Sequence, residues 1–517
     1  FRGKGMRSLA VLLVLAMAAC ARTPPPGDDG PVFSQPAAVE VFEVGYANIQ
    51  AKYINEVSIG DLALEGMKGL EAIDPSLRVN RKNGTVILSS NDRTIARFPA
   101  PQNDDARAWA AMTVKVSTAG RKASHDLRQA EAETIYESVF DGVLSNLDVF
   151  SRYAGAREAR RNRAKRDGFG GIGIRFRVKR GQARITQVMP GTPAARSGLK
   201  KNDIITHVGN VSLEGFKTSR VGEMLRGPIR SKIRVTVIRT GVPLPLSFVI
   251  KRSHIIPPTV TKSIKNGIIF LKISSFNQST AHDLSEKLKQ ARKALGRNML
   301  GVVLDLRGNP GGLLRQSIKV ADLFITQGRL IKTRGRHPDS IQFYEAGGRD
   351  MASGHPLAVL LDGRSASAAE VVAAALQDRG RAVVIGTSSF GKGTVQTVIR
   401  LPNDGEITLT WSRLITPTGY ILHGIGVPPA ICTSGQDGDP FKVISAALKH
   451  RQKTAAIMES WRTAGLEQKE RRRQLRATCP AERRNKTMDS DVASRLLADR
   501  SLYARILNLS VPATAAR

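Results

Sequence analysis

From Thr259 to Ala430, short apolar runs alternate with amphipathic ones, and this alternation restricts the chain more than any other feature. Ile268–Ile273, Gly301–Leu306 (GVVLDL), Leu357–Leu361 and Ala382–Ile385 read as buried strands. Thr280–Leu295, Leu313–Ile325 and Ala366–Gln377 read as helices between them. Such alternation predicts a parallel or mixed sheet with helices packed on it. Thr394–Leu401 and Glu406–Ile415 flank Pro402-Asn403-Asp404-Gly405 and predict a hairpin.

The remaining sequence divides by character. A chain of 517 residues exceeds one ordinary core, so about two to four domains are expected. Residues 37–160 read as a mainly helical N-terminal region. Within it, Val39–Ile49, Gly60–Ala72 and Glu131–Leu147 have helical spacing, and Thr85–Leu88 with Thr94–Phe98 form a small hairpin. Residues 168–252 are a compact β-rich module of short strands and two short helical stretches. Residues 259–430 are the α/β unit, and residues 431–517 a polar, helical, surface-packed tail. No internal repeat is present.

The formal charge of +35 suggests acidic partners. Much of the surplus lies in Arg157–Arg166, Lys469–Arg476 and Arg483–Lys486, away from the glycine-rich motifs. With no zinc-finger spacing and no aromatic-rich RNA motif, these clusters read as solvated basic faces, and no nucleic acid is expected.

Met6-Arg7, the apolar run Leu9–Met17 and Ala18-Ala19-Cys20 describe a secretory signal over residues 6–20. Phe1–Gly5 is expected to lie upstream of the true start. The run is too short for a mature spanning helix. Its end resembles a bacterial lipoprotein signal, which implies lipidation at Cys20; Met17 stands where Leu is usual. Plain cleavage nearby is the alternative. Residues 21–36, rich in Pro, Gly and Asp, read as a flexible tether. In an exported protein Cys432 and Cys479 are expected to bridge, pinning the tail to the core, the alternative being two separate thiols. No metal-ligand spacing is present and no cofactor is expected.

Three segments carry chemistry. Asp362–Glu370 (DGRSASAAE) turns from a strand into a helix, where free N–H groups favour a developing negative charge. Ser365 or Ser367 in that turn is either a nucleophile or an N-cap. Gly386–Thr394 (GTSSFGKGT) approaches a phosphate-binding loop, but Gly393 displaces the hydroxyl and a strand follows where a helix is needed. A lysine held between two glycines and desolvated can instead act as a base toward serine. Gln396, four residues on, would share its face on a strand and orient the amine. Asp305–Gly312 (DLRGNPGG) follows a buried strand, and its paired glycines leave N–H groups open to a substrate.

Asp305–Leu313, Ser365–Asp378 and Gly386–Gln396 together resemble the carboxy-terminal processing peptidases, or tail-specific proteases. Gly168–Ile174, Pro190–Leu199 and Leu225-Arg226-Gly227-Pro228 resemble the PDZ domain of that family; Ser151-Arg152-Tyr153 and Gly419–Pro428 also match. The resemblance spans about residues 37 to 430. It implies a ClpP/crotonase-like α/β protease core with an inserted PDZ domain. It implies Ser367 as nucleophile, Lys392 as general base and Gln396 as third member. Ala368 with Gly311 or Gly312 would supply the oxyanion hole, and Gly171, Ile172, Gly173 and Ile174 would bind a substrate's terminal carboxylate. Ala369 replaces a serine frequent in the family, and Ala430 an aspartate.

The function so implied is a serine endopeptidase, exported and lipid-anchored in the periplasm. It would recognise exported, loosely folded proteins by their free C-termini. An adaptor protein or a second copy is left open as a partner. A non-catalytic PDZ scaffold and a nucleotide-binding protein are the competing classes.

Overall fold

The computed structural model describes residues 32–348, 350–483 and 487–510. The expected signal, Cys20 and most of the tether lie outside the described residues. Gln35 and Pro36, read above as tether, form the first turn of α1 (Gln35–Lys52), where the preset φ of proline suits a helix start.

The N-terminal region is a helical cluster with a small sheet. α1 buries Val41, Phe42, Tyr46 and Ile49, and α2 (Ile59–Lys68) starts at Ser58, whose hydroxyl accepts from Asp61 N–H. β1 (Leu77–Lys82), β2 (Thr85–Ser90) and β3 (Arg93–Pro99) form one antiparallel sheet, so the expected hairpin has a third strand. α3 (Ala106–Ala123) was not anticipated. Its buried stripe includes Thr113, Ser117 and Gly120 and so lacks a clean apolar period; Tyr46 and Thr113 hydroxyls meet at 3.0 Å inside it. α4 (His125–Gln129) and α5 (Ala132–Ser145) follow, then β4 (Arg152–Ala154) and α6 (Ala156–Asp167).

α6 is the basic cluster, and it is not merely a solvated face. Arg163 pairs with Asp404 at 2.8 Å and Glu406 at 2.9 Å, Arg160 with Asp404 at 3.0 Å and Arg166 with Glu406 at 3.3 Å. These carboxylates sit at the turn that the hairpin motif predicts, so the charge of α6 fastens it to the protease unit.

The β-rich module follows. β5 (Phe169–Gly171) pairs with β12 (Ser253–Ile255), closing the module where the chain enters and leaves it. Between them run β6 (Ile174–Lys179), β7 (Gln182–Val188), α7 (Pro193–Ser197), β8 (Ile204–Val208), β9 (Val211–Ser212), α8 (Thr218–Leu225), β10 (Lys232–Ile238) and β11 (Leu246–Lys251). The strand order β11-β10-β8-β7-β6 leaves β6 at an edge. Ile185, Val221, Val235 and Val237 form its core, with Phe176 packed against them.

The α/β unit is built on a sheet of β13 (Val260–Lys265), β14 (Ile268–Ile273), β15 (Gly301–Asp305), β18 (Leu357–Leu361), β19 (Val383–Gly386) and β22 (Ile431–Cys432). β13 is antiparallel to β14 and the rest run parallel. α9 (Thr280–Leu295), α10 (Leu314–Asp322) and α11 (Ala368–Asp378) pack with Leu271, Leu304 and Val359. The sequence expectation of parallel strands with packed helices matches this layer. A second sheet holds β17 (Gln342–Ala346), β16 (Gly328–Arg334), β21 (Glu406–Ile415) and β20 (Thr394–Arg400), with β4 on β21. Ile399, Leu401, Ile407 and Leu409 of its hairpin lie in one core with the N-terminal helices.

The tail comprises α12 (Pro440–Lys449), α13 (Arg451–Thr463), α14 (Lys469–Ala477), α15 (Thr487–Leu497) and α16 (Arg500–Ser510). It is more than a surface appendage. Ile444, Val492, Leu496 and Ile506 bury the second face of the central sheet, against Val303, Ala358, Leu360 and Ile385. Strands apolar on both faces require a layer on each side, and the tail provides the second. Cys432 and Cys479 are disulfide-bonded, with Cα atoms 5.9 Å apart.

Candidate active site

The turn after β18 treats its two serines differently. Ser365 is fully buried; its Oγ accepts from Asp362 N–H at 3.0 Å and lies 2.9 Å from the Leu306 carbonyl. Ser365 therefore braces the turn. Ser367, the residue before α11, has φ +54° and faces a cleft of about 390 Å³ shared with Phe276, Gly312 and Gln396. A non-glycine residue with such backbone is strained by about 1–3 kcal/mol and persists only when its surroundings hold it.

Glu370 supplies that hold. It is fully buried on the first turn of α11. One carboxylate oxygen accepts Ser367 N–H at 2.7 Å and Lys392 N–H at 2.9 Å; the other accepts Ser389 Oγ at 2.5 Å and Gly391 N–H at 2.6 Å. Burial raises its pKa, and these four hydrogen bonds oppose the rise. One side chain thus ties the serine turn to the lysine loop.

The lysine loop lies against Leu422–Gly426. Gly391 O accepts Gly424 N–H at 2.8 Å, and a Cβ on Gly393 would stand 1.9 Å from His423 N, so only glycine permits this approach. Lys392 is half-buried. Burial lowers its pKa from the ordinary lysine value, Arg152 lowers it further, and Asp148 and Glu370 act the other way. Its Nζ sits 4.6 Å from the centroid of the Phe150 ring. Among the described residues the Lys392 Nζ makes no hydrogen bond or ion pair, to Ser367 Oγ or to any other group.

Phe150 is itself positioned. Asp148 accepts Phe150 N–H at 2.8 Å, Ser151 N–H at 3.0 Å and Thr410 Oγ1 at 3.1 Å, which fastens the turn to β21. The sequence reading singled out neither Asp148, Phe150 nor the role of Glu370. A charged residue inside the otherwise apolar Ala368–Leu376 was the one available signal for Glu370.

Gln396 makes no hydrogen bond to Lys392 in this conformation. Its Nε2 donates to Thr394 Oγ1 at 2.9 Å and lies 3.3 Å from Thr410 Oγ1. Lys392 precedes β20, and a bulge between Val395 and Gln396 breaks the alternation on which the shared face depended. Gln396 instead lines the cleft with Ser367.

The two glycines also differ. Gly311 N–H donates to Asn309 Oδ1 at 2.8 Å. A Cβ on Gly311 would stand 2.9 Å from Ser367 Cβ and 3.1 Å from Ala368 N. Gly312 bridges Phe276, and it lines the cleft. In the β-rich module, Ile172 is buried, and the Ile172 and Gly173 carbonyls accept from Ala194 and Met189 N–H, fixing the loop before β6.

The model of peptidase family S41 matches residues 267–433, and a PDZ domain model matches residues 184–239. A carboxy-terminal-processing protease of Bartonella bacilliformis is 37% identical over 318 residues, covering 61% of this chain and 73% of that protein. Carboxy-terminal processing protease CtpB of Bacillus subtilis is 31% identical over 362 residues, 68% of this chain and 74% of that protein. The solved photosystem II D1 C-terminal processing protease aligns with a TM-score of 0.40 and 21% identity, over 77% of this chain and 92% of that one. The chain belongs to the carboxy-terminal processing proteases of peptidase family S41, serine proteases with a PDZ domain.

Proposed function

We propose that this protease captures the free C-termini of exported, loosely folded proteins on its PDZ domain and cleaves them with Ser367 and Lys392. The observation that carries the reading is the shared clamp: one buried carboxylate, Glu370, accepts the N–H groups of both residues. It makes the strained serine turn and the lysine loop a single unit.

In the reaction, neutral Lys392 takes the Ser367 hydroxyl proton as Oγ attacks the scissile carbonyl. The negative charge on the former carbonyl oxygen is met by Ala368 N–H and Gly312 N–H. Gly312 is favoured over Gly311 because the Gly311 amide is already bound to Asn309. The Lys392 ammonium then protonates the leaving amine, and water, activated by the lysine, releases the acyl group. The bare side of Gly311 packs closely against the Ser367 turn, where a side chain would collide with Ala366, Ser367 and Ala368. In the present conformation Lys392 rests on Phe150, so a side-chain swing precedes catalysis and the structure is read as an unengaged form.

The Gly171–Ile174 loop would receive the substrate carboxylate while the tail adds as a strand to the open edge of β6. The Cys432–Cys479 disulfide supports an oxidising compartment outside the cytoplasm. Anchoring through Cys20 in the periplasm is the accompanying proposal; loss of membrane association in Cys20→Ala tests it.

Purified protein should cleave an unstructured polypeptide, and Ser367→Ala and Lys392→Ala should each abolish cleavage with unchanged circular dichroism. Full cleavage by either variant would sink the pair.

A further inference from the structure

A cavity of about 550 Å³ lies between α6 and the PDZ domain, and arginine dominates its wall. Arg157, Arg160, Arg161 and Arg163 enter it from α6, and Arg226 from the end of α8; Glu223 is its one carboxylate. Arg160 and Arg163 are engaged with Asp404 and Glu406. Arg157 and Arg161 are exposed and make no ion pair among the described residues. The Arg226 guanidinium stacks on the Phe169 ring at 4.2 Å, leaving its edge for an anion. Glu223 is itself paired with Arg220 at 3.5 Å. The cavity therefore keeps a surplus of positive charge that the protein does not neutralise.

Its position gives that charge a use. Gly168, Phe169 and Gly170 line it, and they lead directly into the Gly171–Ile174 loop. Gly227 N–H donates to Gly170 O at 3.1 Å, holding the end of α8 beside the loop. A peptide that adds to β6 and ends at this loop brings its last residues to the mouth of the cavity. Guanidinium groups favour carboxylates there by charge and by paired hydrogen bonds.

We infer that this cavity is a specificity site for acidic side chains within the last few residues of the substrate tail. The inference rests on the PDZ domain receiving C-termini, as proposed above. α6 carries the site on one side, and its Asn162, Lys165 and Arg166 line the catalytic cleft on another. Tail selection and cleft entry therefore share one helix.

The test uses the full chain with Ser367→Ala, so that bound peptides persist. Two fluorescent ten-residue peptides differ only in ending Asp-Glu-Ala-Ala or Asn-Gln-Ala-Ala. At low salt the acidic peptide should bind about tenfold tighter, and half-molar salt should remove most of the difference. Adding Arg157→Gln and Arg161→Gln should cut the preference below about threefold with an unchanged melting temperature, since both side chains are exposed. Equal affinity for the two peptides, or an undiminished preference in the variant, would overturn the inference. A C-terminally amidated peptide is the control for the reading beneath it. If amidation costs no affinity, or neither peptide binds, tail recognition by the PDZ domain fails and takes the inference with it.

Discussion

The ammonium of Lys392 stands over the ring of Phe150, 4.6 Å from its centroid, rather than on the hydroxyl of Ser367. An aromatic face favours the charged form of lysine, by about 0.5–1 kcal/mol at a partly exposed site. Burial and Arg152 push the other way, and the balance leaves the amine more acidic than usual. The neutral amine is the active base, so cleavage should rise with pH through a value below the ordinary lysine pKa of about 10.4. Phe150→Leu removes the cation's partner. It should move that rising limb down by roughly half a pH unit and raise cleavage near neutrality about two- to fivefold. Profiles of kcat/KM against pH check this; an unmoved limb would deny Phe150 its part.

Glu370 meets four donors with two oxygens. Glu370→Gln keeps the shape but turns an NH2 group toward two of them. Buried donors left without acceptors cost about 1–3 kcal/mol each. The variant should lose about 2–5 kcal/mol of stability in urea titration. Its kcat should fall by more than about 100-fold while KM changes little, because the damage is to the serine–lysine geometry rather than to substrate contacts. A kcat near that of the parent would mean the clamp is only structural.

At Gly311, a methyl group would enter the space between Ser367 Cβ and Ala368 N. Gly311→Ala should lower kcat by about 10²–10³, the usual effect of spoiling an oxyanion site. Its φ of +104° adds a backbone cost of about 1–3 kcal/mol. Single-turnover acylation of the folded variant separates the two effects.

The Cys432–Cys479 bridge spans 47 residues and joins the end of β22 to the segment after α14. The Cys479 carbonyl accepts Ser388 Oγ at 2.6 Å, just before the lysine loop. Reduction, or Cys432→Ser, should destabilise the protein by about 2–4 kcal/mol. Activity should fall with it below full unfolding, since the loop loses its outer brace. Matching urea midpoints with and without reductant would contradict this.

The serine turn Asp362–Glu370, the lysine loop and the DLRGNPGG turn were legible as segments because each stands at a strand end with small residues around it. That pattern survives in one dimension. The alternation that predicts the central sheet is legible for the same reason. Less local features were not. α3 hides because it buries Thr113 and Ser117 beside Tyr46. Gln396 was assigned to the lysine from a strand period that a bulge interrupts. The tail's polar composition concealed the apolar stripe that covers half the sheet.

By itself the sequence determined the family, the order of its units and the residues available for chemistry, because motif spacing and apolar period are properties of the chain. Which serine faces the cleft, which glycine still has a free amide, and where the lysine rests were decided only in three dimensions. Those depend on which atoms meet in space: Leu306 and Ser365 lie 59 residues apart in the chain and Phe150 and Lys392 farther still, while Asn309 reaches Gly311 only because the turn bends back on itself. Hydrogen bonds and ring contacts act over a few ångströms of space, and no sequence period encodes that proximity.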